Sequence, residues 1–201
     1  MRWWAWVIVI LVGWGVIAGV SAGVSSGRDH TSETVRASKW AQAVCGTTGA
    51  WEGDLEAIRD EIGRNNYAAR QNDGGTGDSA EENISIREGV DRAIRATTDV
   101  LQEGLKRAGI PDASQGEAAS ALLRSWAEQT EANLRLAKAQ LKVKPQSSAE
   151  AYANLGPPVR ALAISAIQGR AAFRSAAALD PEIADALNGS RNCRDLMREA
   201  P

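Results

Sequence analysis

The chain is nearly without histidine, poor in cysteine, and sparing with aromatic residues once its first two dozen positions are past. His30 is the sole histidine, so a di-metal centre of the kind built inside helical bundles from Glu-x-x-His pairs has no imidazoles to draw on. Ser–His and Cys–His nucleophilic chemistry lacks its base for the same reason. Two carboxylates are enough for glycoside hydrolysis, yet the apolar seams of the sequence show no buried acidic pair. A basic excess is missing too. The 23 Lys and Arg stand against 25 Asp and Glu, which is no footprint for nucleic acid. Period-two alternation is absent, which argues against a sheet. The expectation is a non-enzyme, with no catalytic, cofactor-binding or metal residue to assign and no cofactor.

What is present begins with residues 3–24, WWAWVIVILVGWGVIAGVSAGV. They carry no charge, and as a helix they reach about 33 Å, the thickness of a bilayer's hydrocarbon core. Two readings of this run compete. Arg2, the valine-rich middle and Val20-Ser21-Ala22 supply the three parts of a secretory signal cleaved after Ala22. Its length and the belt of Trp3, Trp4 and Trp6 favour an anchor that stays in the membrane. In both cases the amino end remains in the cytoplasm and the body is exported. No second apolar run of about 20 residues follows, so one span is the most this sequence carries.

Cys45 and Cys193 are the only cysteines. In an exported chain a lone pair is most simply a disulfide, here joining the two ends of the domain. Closing such a loop contributes about 5 kcal/mol by the chain-entropy argument. Two other readings stay open, a redox pair and lipidation at Ala43-Val44-Cys45-Gly46. Against lipidation, Arg36, Lys39 and Trp40 separate Cys45 from the apolar run.

After a polar connector over 25–32, Thr31 or Ser32 can cap a first helix with Glu33 in its opening turn. Ala37, Ala41, Val44, Thr48, Trp51, Leu55, Ile58 and Ile62 recur at spacings of four and three, a heptad seam. Gly46, Gly49 and Gly53 predict a kink or a close approach near the cysteine. Residues 71–79, QNDGGTGDS, read as a turn between helices; they fit neither a dinucleotide-binding unit nor a calcium loop.

A second helix is predicted over 80–108, with Ile86, Val90, Ile94, Thr97, Leu101 and Leu105 on its stripe, ended by Gly109-Ile110-Pro111-Asp112. Ser114 and Glu117 have the spacing of a capping box for a third helix, whose stripe includes Leu123, Trp126, Thr130 and Leu134. A fourth starts near Ser147 or Ser148, and Pro157-Pro158 either kink it or restart it. Asp180-Pro181 open a short fifth helix that ends at Asn188-Gly189. Trp51 and Trp126 are expected in the core.

The fold class that follows is all-α. An N-terminal transmembrane signal-anchor helix occupies 1–24, a connector 25–32, and an extracytoplasmic up-and-down four-helix bundle 33–198, closed by a Cys45–Cys193 disulfide. Trp40-Ala41-Gln42-Ala43-Val44-Cys45 with Trp51, together with Asn192-Cys193-Arg194-Asp195-Leu196, resemble small exported helical proteins of actinobacteria, a functionally uncharacterised group. That resemblance implies a secreted or anchored bundle with a terminal disulfide and carries over no catalytic residues.

The expected function is a membrane-tethered accessory or interaction module of the cell envelope. Its partners are membrane lipid, through the N-terminal helix, and another envelope or membrane protein, with no nucleic acid. The alanine-rich stretch 161–178 is either the face that meets such a partner or simply core. The alternatives are a sensor-like bundle that binds a small ligand between its helices, and a fully secreted helical protein after signal cleavage.

Overall fold

The computed structural model describes residues 34–72 and 79–193, and for 65–72, 79–82 and 148 their backbone alone. The apolar run with its cleavage site at Ala22, the connector with His30, the caps at Thr31 and Ser32, loop positions 73–78, and Arg194, Asp195 and Leu196 lie outside the described residues. Among the described residues no helix is long and apolar enough to cross a membrane.

The described chain is mainly helical, and it opens with a departure from the sequence reading. Thr34–Val35 form a two-residue strand, β1, instead of a first helical turn. β1 pairs in parallel with β2, Ile110–Pro111, and Asp112 N–H donates to Val35 O at 2.7 Å. Two β-branched residues lose side-chain freedom in a helix and fit an extended ladder, so the chain enters as a strap across the 109–112 turn.

Helix α1, Ala37–Asn72, then runs without interruption through Gly46, Gly49 and Gly53. No break in the helix marks these glycines. A Cβ on Gly46 would reach only ordinary contact with Asn192, and Gly49 and Gly53 face open space.

The second predicted helix is real but not uniform. Helix α2, Ser79–Ala96, passes into a π-helical turn, Thr97–Gln102, and ends as α3, Glu103–Arg107. Gly109 closes it with φ 75°, a left-handed conformation that glycine adopts without a Cβ penalty. Helix α4, Gly116–Ala139, starts one residue later than a Ser114 cap requires, with Gln115 at the cap position. The capping box does not form; Ser114 Oγ donates instead to Asp180 Oδ2 at 2.6 Å.

The tandem prolines resolve the fourth segment into two helices, α5, Ser148–Ala153, and α6, Gly156–Leu179, with both prolines in the first turn of α6 where no amide donor is needed. Ser147 Oγ accepts from the Glu150 amide and caps α5. Helix α7, Pro181–Gly189, is capped by Asp180, whose Oδ1 accepts from the Glu182 amide at 2.8 Å. The 3-10 turn Arg191–Cys193 brings the end of the described chain back to α1.

Two long pairs make up the body. On α1 and α2, Trp51 meets Thr97 while Glu61 meets Arg92, so the helices run antiparallel. On α4 and α6, Trp126 meets Ser165 and packs on Gly169, while Leu134 clusters with Ala161, again antiparallel. A central cluster joins both pairs through Trp40, Trp51, Leu101, Leu123, Trp126, and Phe173, sealed by α7 through Ile183 and Leu187. Cys45 and Cys193 stand at disulfide distance inside it, Cα–Cα 5.2 Å.

Candidate functional site

A groove of about 820 Å³ opens between α1, α2, and the α5–α6 segment, with Leu134 of α4 reaching its floor. Its size falls in the range of small-molecule sites. One wall is the α1 seam below Trp51, namely Leu55, Ile58 and Ile62. The floor is Ile86, Gly89, Val90 and Ala93 of α2; the other wall is Leu155, Pro158, Leu162 and Ala166. These seam positions have the helical spacing expected of core.

The groove exists because the opposing positions are small. Gly89 lies under the Ile62 and Ile58 side chains, and a Cβ there would collide with Ile62. Ala93 and Ala166 supply one methyl each where a bundle seam ordinarily supplies a branched chain. Leu55, Ile58 and Leu162 are therefore only partly buried. A packed interior tolerates few voids larger than water, so an apolar slot of this volume is a departure from ordinary core packing.

Two tryptophans hold the inner end. Trp51 Nε1–H donates to Thr97 Oγ1 at 3.0 Å, and that hydroxyl donates to Ala93 O at 2.8 Å. The second bond turns Thr97 back onto its own helix where the π turn begins. Trp126 Nε1–H donates to Ser165 O at 2.8 Å, and its ring meets Trp51 edge-on at 5.8 Å between centroids. Both indoles thus bury their rings with their one donor satisfied, as expected for a buried aromatic with a polar handle.

An amide network stands next to the groove in sequence. Asn154 Nδ2 donates to Asn83 Oδ1 at 2.6 Å and to Lys142 O at 3.0 Å, while its Oδ1 accepts from the Lys142 amide at 2.9 Å. Asn83 Nδ2 donates to Val143 O. This network pins the α4–α5 connection to α2, beside the groove residues Ile86 and Leu155.

The rim on α1 is polar. Glu52, Glu56 and Arg59 border the opening, and Arg59 donates to Glu56 at 3.1 Å and to Asp60 at 3.0 Å. Across the groove, Tyr152 and Val159 border the opening and remain more than half exposed. A long apolar slot with charge along one lip matches a molecule with an apolar body and a polar end.

Cys45 and Cys193, the one sequence-derived pair of site residues, come together far along α1 from the groove's middle and are fully buried. Their burial leaves no access for a redox partner or a lipid-transfer reaction in this state. Among the described residues no three of His, Cys, Asp and Glu converge to hold a metal ion. The groove itself was not legible as a site, because its lining reads as seam. Its one signal is a deficit of volume, Gly89, Ala93 and Ala166 facing the large seam residues of α1. Comparison with protein-family models, with curated proteins and with solved structures finds no match for this chain.

Proposed function

We propose that this protein is an exported, membrane-tethered helical domain, without catalytic machinery, that holds an elongated apolar ligand between its helices. The groove between α1, α2, α5 and α6 carries the reading. From Trp51 to Gly63 its α1 wall spans thirteen residues, about 18 Å of helix from first to last. A saturated chain advances about 1.25 Å per carbon, from a 1.52 Å bond at a near-tetrahedral angle, so roughly 14 carbons fill that length.

The architecture in this reading is an up-and-down four-helix bundle over 33–198, following an anchor at 1–24 and closed by Cys45–Cys193. The antiparallel pairing of α1 with α2 and of α4 with α6 supports it, as do the buried cysteines. The tether rests on the apolar run and the oxidising exterior on the cysteine pair. The likeness to exported actinobacterial helical proteins agrees with this address.

The test is a homologous series of 1-acylglycerols, read by displacement of a fluorescent apolar probe. Affinity is expected to rise about fourfold per methylene, following about 0.8 kcal/mol for each, and to level off near 14 carbons. Leu162→Asp is expected to abolish binding. Affinity that ignores chain length, or survives that substitution, removes the ligand reading.

A second reading shares the tether and the bundle and seats an apolar helix of another envelope protein in the same groove. The exposed Tyr152 and Val159 at its open side favour it. Under that reading the acylglycerol series shows no saturable binding, and crosslinking from Tyr152 recovers a membrane protein.

A further inference from the structure

We propose that the outer face of α6 lies against an anionic membrane surface. Arg160, Ile164, Ile167, Ala171, Arg174 and Ala178 recur at spacings of four and three, and every one of them is exposed. They form one straight stripe about 27 Å long at 1.5 Å per residue. Ile164 and Ile167, in its middle, expose 50% and 69% of their surface.

The charge on this helix has one sign. The 24 residues of α6 include Arg160, Arg170 and Arg174 and no Asp or Glu, in a chain whose net charge is −2. None of the three arginines is in an ion pair among the described residues. A face adapted to water alone mixes both signs, as the outer face of α1 does with Glu56, Arg59 and Asp60. Removing acids while keeping isoleucines suits a surface that is negative and has an apolar layer behind the charge.

Geometry then fits the occupant. A helix in the plane of a bilayer interface buries its apolar side chains to the headgroup–acyl boundary while arginine stems extend toward the phosphates. Guanidinium meets a phosphate with two parallel hydrogen bonds, which a carboxylate-free helix leaves uncontested. The isoleucines at the centre reach the acyl boundary, and the arginines near both ends reach headgroups. The same helix contributes Pro158, Val159, Leu162 and Ala166 to the groove, so a bilayer beneath α6 lies beside the groove's wall. The inference goes beyond the ligand reading and does not depend on it.

The experiment uses the full chain, non-reduced, with an environment-sensitive fluorophore on Ile167→Cys or, as a control on another exposed face, on Ala57→Cys. Vesicles are phosphatidylcholine alone or with one third phosphatidylglycerol. The label at position 167 is expected to shift to shorter wavelength on the anionic vesicles only, to lose the shift as salt is raised, and to remain unshifted at position 57. Arg160→Gln with Arg174→Gln is expected to weaken the contact about 25-fold, fivefold per arginine. Both substitutions are at exposed positions, and an unchanged melting curve establishes that the variant folds. A chain that sediments with vesicles through its N-terminus while the 167 label stays in water overturns the proposal. So does an equal shift on neutral vesicles, or a shift that needs an added envelope protein.

Discussion

At the scale of single residues, one of the tight points of the body is Gly169 beneath Trp126. A Cβ built there would stand 2.6 Å from the indole ring, with the ring held by its bond to Ser165 O and by contacts to Trp51 and Phe173. The ring has nowhere to retreat. Gly169→Ala is therefore expected to destabilise by about 1–3 kcal/mol despite the better helix propensity of alanine, read as a lower urea midpoint. An unchanged midpoint would mean that the α4–α6 spacing relaxes freely. Asp180 makes a second prediction. The Ser114 hydroxyl, then the Glu182 amide, hold its carboxyl below the usual carboxylate range. A depressed folded pKa means stability present above the unfolded value near 4 and lost as pH falls through the folded value. Asp180→Asn should flatten the acid limb of the melting-temperature profile below about pH 4 while lowering the plateau at neutral pH. An acid limb of unchanged steepness would show that Asp180 does not couple folding to protons.

At the scale of elements, legibility followed the side chains that meet water or core. The seam from Ala37 to Ile62, the stripe from Ile86 to Leu105, and the helix starts near Ser147 or Ser148 and at Asp180-Pro181 were readable, because each depends on neighbours within a turn or two. Trp51 and Trp126 are buried as their spacing requires. Besides the β1 strap, three features were not readable. The Ser114 capping box lost to a partner 66 positions away, Asp180, which no local pattern announces. The π turn at Thr97–Gln102 inserts no residue type of its own, and its bonds from Trp51 and from Gln102 to Glu131 are long-range. The groove depends on whether facing volumes fill, and periodicity specifies direction without volume. The α4–α5 connection offers the test at this scale. Asn154 satisfies the backbone of Lys142 in both directions and is itself 4% exposed. Asn154→Ala strands the Asn83 carbonyl and two backbone groups, so a loss of about 1–3 kcal/mol is expected. Amide exchange should quicken over 141–147 and remain slow over the inner turns of α4, because the network holds the loop and not the helix. Uniform acceleration would instead make the network part of the global core.

At the scale of the whole molecule, the question is what keeps the last helix on the first. α7 and the 3-10 turn are short, nine and three residues, and they reach α1 through Ile183, Leu187 and Cys193. Neither is long enough to be stable alone, since isolated helices below about 12–15 residues are marginal in water. Docking therefore supplies their order, and the covalent link acts on the other side of the equilibrium. A bridge between positions 148 apart restricts the unfolded chain across nearly the whole domain. By the chain-entropy argument its loss weakens folding by about 5 kcal/mol, against a total of roughly 5–15 kcal/mol for an ordinary domain. Cys45→Ser with Cys193→Ser is expected to shift the guanidinium midpoint far downward and to raise the m-value, because an open unfolded chain exposes more surface than a closed one. The order of loss matters as much as its size. Exchange in the variant should quicken first over 181–193, then over the amino-terminal half of α1, while α4 and α6 persist through Trp126 and Phe173. Equal midpoints for the bridged and serine chains would show that packing of Ile183 and Leu187 alone closes the domain, leaving the cysteine pair without a stabilising role.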